Sequence, residues 1–216
     1  MRDVPLFPLN VVLFPGGWLP LRIFEDRYRQ MLRACLDGDR RVGIVLIKSG
    51  TEVGGPAEPC QVGTLGRIDE IGEPQHGAIP LTVAGEARFR IAGLDRSLPY
   101  LVGHVEELDG SPDPEAQVAS ETLARVANRY VRLLMASHGQ FRGPVHLTGD
   151  PGEIERLAGQ LLFNHANEVR QAILEAEPLS SRLRMMRRTL SRSVEAAEAA
   201  LMRGGPGREP TVFGIN

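Results

Sequence analysis

Between Asp109 and Pro114 the hydrophobic period of the chain changes, and this change constrains the fold more than any single motif. Upstream, apolar residues alternate or form short continuous runs, as strands require; downstream they recur three and four positions apart, as helices require. Strands followed by helices make α+β the expected class. The stretch Asp109-Gly-Ser-Pro-Asp-Pro114 interrupts both periods with two prolines and a glycine, so it is the expected boundary.

The first 110 residues open on Pro5-Leu-Phe-Pro-Leu-Asn-Val-Val-Leu-Phe-Pro-Gly-Gly-Trp-Leu-Pro-Leu-Arg-Ile-Phe-Glu25. The apolar run from Val11 to Phe14, held between Pro8 and Pro15, reads as a short buried strand. Pro15, Gly16 and Gly17 supply a turn, and Trp18 to Phe24 a second strand. Tyr28, Met31, Leu32, Cys35 and Leu36 then recur at helical spacing, with Gly38 as the expected C-cap. The β-branched run Val42 to Ile47 reads as a strand buried on both faces, and the glycines and prolines between Ser49 and Pro59 as an exposed loop. Val62 to Ile71 reads as an irregular strand, bent where Gly63 and Gly66 interrupt its alternation. Two further strands, Ile79–Ala84 and Ala87–Ile91, are expected to meet at a Gly85-Glu86 hairpin, leaving Arg88 and Arg90 on the solvent side opposite Glu106 or Glu107. Tyr100 to Glu107 closes the set.

Residues 115–203 read as a helical bundle. Leu123, Val126, Ala127, Tyr130, Leu133 and Leu134 mark the first helix, and residues 138–151 a loop holding Phe141, Pro144 and Val145. Ile154, Leu157, Ala158, Leu161 and Leu162 mark the second, with Asp150 as N-cap and Pro151 at its first position. A short helix around Val169, Ala172 and Ile173 stops before Pro178. A long one then follows along Leu179, Leu183, Met186, Leu190, Val194 and Leu201, capped by Ser180 or Ser181. Residues 204–216 read as a flexible tail.

Composition narrows the chemistry. A net charge of −2 with 24% charged residues excludes a nucleic-acid binder that relies on bulk charge. Lys48 is the only lysine, and no Gly-x-x-x-x-Gly-Lys precedes it, so a P-loop ATPase is excluded. No Gly-x-Ser-x-Gly elbow occurs. The five histidines, at 76, 104, 138, 146 and 165, stand singly, without metal-ligand spacing, so neither metal nor cofactor is expected. Cys35 and Cys60 read as small buried apolar residues in a reducing compartment. No apolar run approaches the ~18 residues that cross a bilayer, and no secretory leader pattern opens the chain, so a cytoplasmic protein without membrane contact is expected.

The order Pro5-Leu-Phe-Pro-Leu, Val12-Leu-Phe-Pro-Gly, Leu19-Pro-Leu-Arg-Ile-Phe-Glu and Arg27-Tyr resembles the amino-terminal substrate-binding domain of Lon proteases, in its free-standing form. The likeness continues through Arg40-Arg-Val-Gly-Ile-Val-Leu-Ile, Val62-Gly-Thr-Leu-Gly-Arg-Ile and Leu81-Thr-Val-Ala-Gly-Glu-Ala-Arg-Phe-Arg-Ile. The resemblance implies a PUA-like, partly open β-barrel with one helix over residues 1–110, followed by the helical bundle. It also implies a non-catalytic protein that recognises unfolded or exposed apolar polypeptide as an adaptor for a separate protease. The ATPase and Ser-Lys protease domains of Lon have no counterpart in the motifs.

Phe14, Pro15, Gly16, Gly17, Trp18 and Leu19 are the expected peptide-binding residues, because a large amphipathic ring at a turn is what a hot spot uses; the alternative is that Trp18 closes the core. Arg182, Arg184, Arg187, Arg188 and Arg192 form a basic stripe that is a candidate anion site. It supports the rival reading, an RNA-binding PUA-like module. Against that, no aromatic residue interleaves the arginines for base stacking, and a solvated face explains them.

Overall fold

The computed structural model describes residues 1–55, 57–137 and 147–202. They divide into two compact units: Met1–Gly110 with Ala166–Glu175, and Ser111–His165 with the described residues from Ala176 on. The expected tail and the loop residues Phe141, Pro144 and Val145 lie outside the described residues.

The first unit contains strands β1 (Arg2–Leu9), β2 (Trp18–Ile23), β3 (Arg41–Gly50), β4 (Ala57–Pro59), β5 (Val62–Ile71), β6 (Ile79–Asp95) and β7 (Leu101–Glu107), with helices α1 (Asp26–Asp37) and α4 (Asn167–Glu175). Pairing runs β1-β7-β6-β5-β3, and β3 returns to β1 in parallel, so five strands form a ring. Strand β2 adds to β6 and β4 to β3. Pro5 and Pro8 are tolerated inside β1 because β7 pairs with Arg2–Leu6 and β3 with Leu6–Leu9. Each proline therefore has a neighbour on one side and an open side for its missing N–H.

One core cluster of this unit holds Val4, Leu6, Val45, Leu65, Phe89 and Val105. Space in it is tight: a Cβ on Gly63 would stand 2.5 Å from the Ile44 carbonyl and 2.8 Å from the Phe89 ring, and one on Gly43 2.6 Å from Leu6. The other cluster lies against α1, whose Tyr28, Met31, Leu32 and Cys35 meet Phe7, Ile23, Ile44 and Leu81. Leu36, expected on that buried face, is 39% exposed. Gly38 is the C-cap, its N–H donating to the Cys35 carbonyl.

Two expected strand features are corrected. Val11–Phe14 is not a strand, although Val12, Leu13 and Phe14 are buried. Its carbonyls, with that of Asn10 before them, are satisfied one at a time instead: Asn167 Nδ2 donates to Asn10 at 2.6 Å, Arg170 to Val12, Thr64 Oγ1 to Leu13 at 2.5 Å, and Gly17 N–H to Phe14 at 3.0 Å. Buried main chain without a ladder needs such partners. Nor is there a hairpin at Gly85-Glu86. Strand β6 runs on for 17 residues, and its pairing with β5 slips one position between Leu65 and Gly66. Gly85 sits at this bulge because the turn packs there: Gly16 N–H donates to Gly85 O at 2.8 Å and Gly85 N–H to Gly17 O at 2.9 Å. The Ser49–Pro59 segment also carries β4 at its end, paired with the far end of β3.

Arg88 is not on the solvent side. It is 4% exposed, and its Nη1 donates to the Leu174 carbonyl of α4 at 2.9 Å. A guanidinium at a helix C-terminus is favourably placed against the last carbonyls. Arg90 remains exposed, in register with Glu106.

The second unit contains α2 (Ala116–Ser137), α3 (Pro151–Gln160) and α5 (Leu179–Met202), and α2 packs on both of the others. Buried Leu179, Leu183, Met186, Leu190 and Val194 give α5 its apolar seam, whereas Leu201 is 44% exposed near the helix end. Asp150 Oδ1 accepts from Glu153 N–H at 2.9 Å, as its capping position requires. At α5 neither serine is the cap. Both lie inside the first turn, and Asp113 Oδ2 accepts the Ser180 N–H at 2.8 Å. That hydrogen bond holds the Asp113 carboxyl below its ordinary pKa.

Gly63→Ala is expected to cost about 1–3 kcal/mol by overpacking, measured by urea unfolding. Gly110→Ala, with nothing within 4 Å of the added carbon, is expected to stay within about 0.5 kcal/mol. Asp113→Ala should lower the melting temperature at neutral pH. Because the carboxyl is depressed in the folded state, its contribution is present above the unfolded pKa and lost as pH falls through the lower folded value. The melting curves of the two proteins should therefore converge in acid.

Candidate functional site

The expected peptide-binding residues separate on folding. Phe14 is 3% exposed in the core, Pro15, Gly16 and Gly17 are half-buried in the turn stitched to Gly85, and Leu19 leans onto the α1 core cluster. Trp18 alone projects, at 59% exposed. The core-closing alternative for this ring is thereby removed. A second aromatic, Phe24 at 53% exposed, follows six positions on. Side chains alternate along a strand, so Trp18, Pro20 and Arg22 share the outward face of β2 while Leu19, Leu21 and Ile23 turn inward.

Among the described residues β2 has one paired neighbour, β6, and its other margin is open. Hydrogen-bonded and non-bonded pairs alternate in an antiparallel ladder. Pro20 opposite Thr82 and Pro80 opposite Arg22 both lack an N–H and fall in the non-bonded set. The main-chain groups of Trp18, Pro20 and Arg22 consequently face the open margin, where Pro20 removes the middle donor. Such a proline protects an edge from indiscriminate strand addition. What this margin offers a partner is mainly aromatic surface.

The same unit contains a groove of about 1330 Å³ with walls from β3, β4, β6 and α4. It opens where the β5–β6 ladder stops at Val62 opposite Arg90. Beyond that point β4 stays with β3 and β6 stays with β7, so the sheet forks. Across the fork Arg96 Nη2 meets Glu58 Oε1 at 2.7 Å. Lys48 and Arg90 line the groove with Glu168 and Glu175, and Gln171 is buried in its α4 wall. Gln171 Nε2 donates to Val62 O at 2.9 Å and to Glu175 Oε1 at 2.7 Å.

The arginine stripe also divides. Arg182 is 1% exposed, its Nε on Glu155 Oε1 at 2.5 Å and its Nη1 on the Ala176 carbonyl at 3.0 Å. Arg184 is paired with Glu115. Arg187 is half-buried, and Arg188 and Arg192 are exposed. Among the described residues no group of three or more His, Cys, Asp or Glu is placed to hold a metal, and no helix is long and apolar enough to cross a membrane.

Sequence reasoning missed the groove. The available signal was Glu168, Gln171 and Glu175 at spacings of three and four, a polar stripe on a helix read only for its apolar seam. Nothing local shows that a helix downstream of the boundary joins the strand unit.

Three comparisons bear on this arrangement. Residues 3–192 match the family model described as the ATP-dependent protease La (LON) substrate-binding domain. The chain is 26% identical over 199 residues to Lon protease of Desulfosudis oleivorans and 28% identical over 197 residues to Lon protease 2 of Myxococcus xanthus. These matches cover 90% and 89% of this chain but 24% of each relative, so it spans about a quarter of their length. The Lon N-terminal domain protein from Xanthomonas campestris superimposes with a TM-score of 0.62 at 26% identity, over 85% of this chain and 95% of that one. The N-terminal domain of Mycobacterium avium complex Lon protease gives 0.64 at 16% identity, over 88% and 98%, a likeness of fold.

The two cysteines report on groove and core separately. Cys60, half-buried at the groove wall, is pushed up by burial and by Glu175, and pulled down by Lys48. Burial, with Asp39, raises Cys35 to about 12. At pH 8, Cys60 should react with iodoacetamide more slowly than a free thiol, and more slowly still in Lys48→Ala. Cys35 should react only on unfolding, as read by mass spectrometry. Equal labelling of both in the native protein would contradict the packing.

Proposed function

The chain belongs to the ATP-dependent protease La (Lon) substrate-binding domain family, and we propose that it is a non-catalytic polypeptide-binding protein. Its ligands are unfolded chains or exposed apolar segments, held against the Trp18–Phe24 margin. The exposure of Trp18 carries this reading, since a folded protein gains nothing in stability from leaving its only tryptophan 59% exposed at a strand margin. Trp and Phe supply large contact area with few rotatable bonds, which suits loose recognition of apolar side chains. A separate protease as recipient of the bound chain, and a cytoplasmic location, belong to the same proposal.

RNA recognition has less support. It would rest on α5, where Arg182 is committed to Glu155 and Arg184 to Glu115. Without aromatic partners the remaining arginines lack the stacking platform that single-stranded bases use.

The test is titration with a reduced, carboxymethylated polypeptide and, separately, with a structured RNA, each at low and high salt. Client binding should shift the emission of Trp18 to the blue and change little with salt. Trp18→Ala should weaken it about five- to thirtyfold, about 1–2 kcal/mol, by anisotropy of a labelled client. Tight, salt-sensitive RNA binding with no client binding would overturn the proposal.

A further inference from the structure

We infer that the fork in the sheet is a second binding element, which takes an extended stretch of client polypeptide as an inserted strand between β4 and β6. This rests on the polypeptide-binding reading above and deepens it, because the fork recognises main chain where the Trp18 margin recognises side chains. Past Val62, β6 is paired with β7 on one side only over Ile91–Asp95, apart from Ile91 N–H to Gln61 O at 2.8 Å. Strand β4 is likewise paired on one side only, with β3, among the described residues. Two strand margins thus border one groove, with N–H and C=O groups on β6 and, because β4 is the three residues Ala57–Pro59 and Pro59 has no N–H, a shorter row with one donor fewer on β4. The natural complement of both rows is a third strand.

The dimensions agree. A strand in a sheet occupies about 3.3 by 4.8 by 10 Å per residue, so the 1330 Å³ of the groove corresponds to roughly eight residues. The charges agree as well. With Glu58 taken by Arg96, Lys48 and Arg90 are balanced by Glu168 and Glu175, so the groove matches an uncharged main chain and not a polyanion. An orphan acceptor lies at its α4 wall. Gln171 is 6% exposed and commits its amide nitrogen to Val62 and Glu175, leaving Oε1 without a partner among the described residues. A peptide N–H would complete it.

The probe is a capped, uncharged peptide of about eight residues, alternating threonine and valine, titrated into the intact protein. It is made in three forms: unmodified, N-methylated at the odd positions, and N-methylated at the even positions. A strand inserted between two neighbours uses both sets of N–H groups, so each methylated form should bind at least about tenfold more weakly. Ala172→Trp, which places a large ring in the groove from an exposed helix position, should weaken the unmodified peptide by a similar factor, with its fold checked by circular dichroism. The methylated peptides act on unaltered protein, so the test does not depend on that variant. Loss with only one methylated set, or with neither, would overturn the insertion while leaving polypeptide binding intact. Displacement of the peptide by an RNA oligonucleotide would overturn it too. No binding of either peptide or carboxymethylated client would overturn both readings.

Discussion

Strand β6 is the constraint on which the first unit depends. It pairs with β5 from Leu81 through Arg90, while its other side is shared in sequence, by β2 as far as Ala84 and by β7 from Phe89 onward. One strand can serve both neighbours only if it changes direction between them. The bulge between Leu65 and Gly66, beside Gly85, provides the change, and the Phe14–Gly17 turn fixes it through two main-chain hydrogen bonds. A side chain at Gly85 would collide with the Phe14 carbonyl, so turn and bulge require each other. A hairpin there would have split β6, the strand that joins β7 to β5 and so completes the ring.

The arrangement has a consequence for binding. Strand β2 begins at the stitched turn, so Trp18 is held at a fixed point while its ring stays in solvent. Farther along, β6 follows β7 and parts from β4, which opens the fork. Helix α4 then covers what the sheet leaves bare, using Asn167, Arg170 and Gln171 to satisfy strand and loop carbonyls and receiving Arg88 at its own C-terminal end. Burial lowers the pKa of Arg170, the expected direction for a guanidinium drawn out of water. Polar side chains thus do between α4 and the strands what ladder bonds do within the sheet.

The sequence was most legible where periodicity is local. Helix α1, the Asp150 cap, the seam of α5 and the β-branched run of β3 could all be read from spacing, because each depends on residues within a few turns or one pleat. It was least legible where a distant element decides the outcome. Gly85-Glu86 has hairpin chemistry, yet the Phe14–Gly17 turn makes it part of a bulge. Val11–Phe14 has strand composition, yet its carbonyls are taken by Thr64, Arg170 and Gly17. Arg88 alternates as a solvent residue, yet α4 arrives from 86 positions away to bury it. Of the candidate site, the turn that carries Trp18 was legible but the exposure of its ring was not, since spacing alone left core closure open; nor was the groove, since its walls from β3, β4, β6 and α4 meet only in the folded unit.

The central claim is that the first unit keeps strand margins open to another chain, and hydrogen–deuterium exchange with and without a saturating unfolded client tests it most directly. Slowed exchange is expected at the outward-facing amides of Trp18 and Arg22 and along Ile91–Asp95, with α5 unchanged. Slowing confined to α5, or no slowing at either margin while the client is bound, would contradict it.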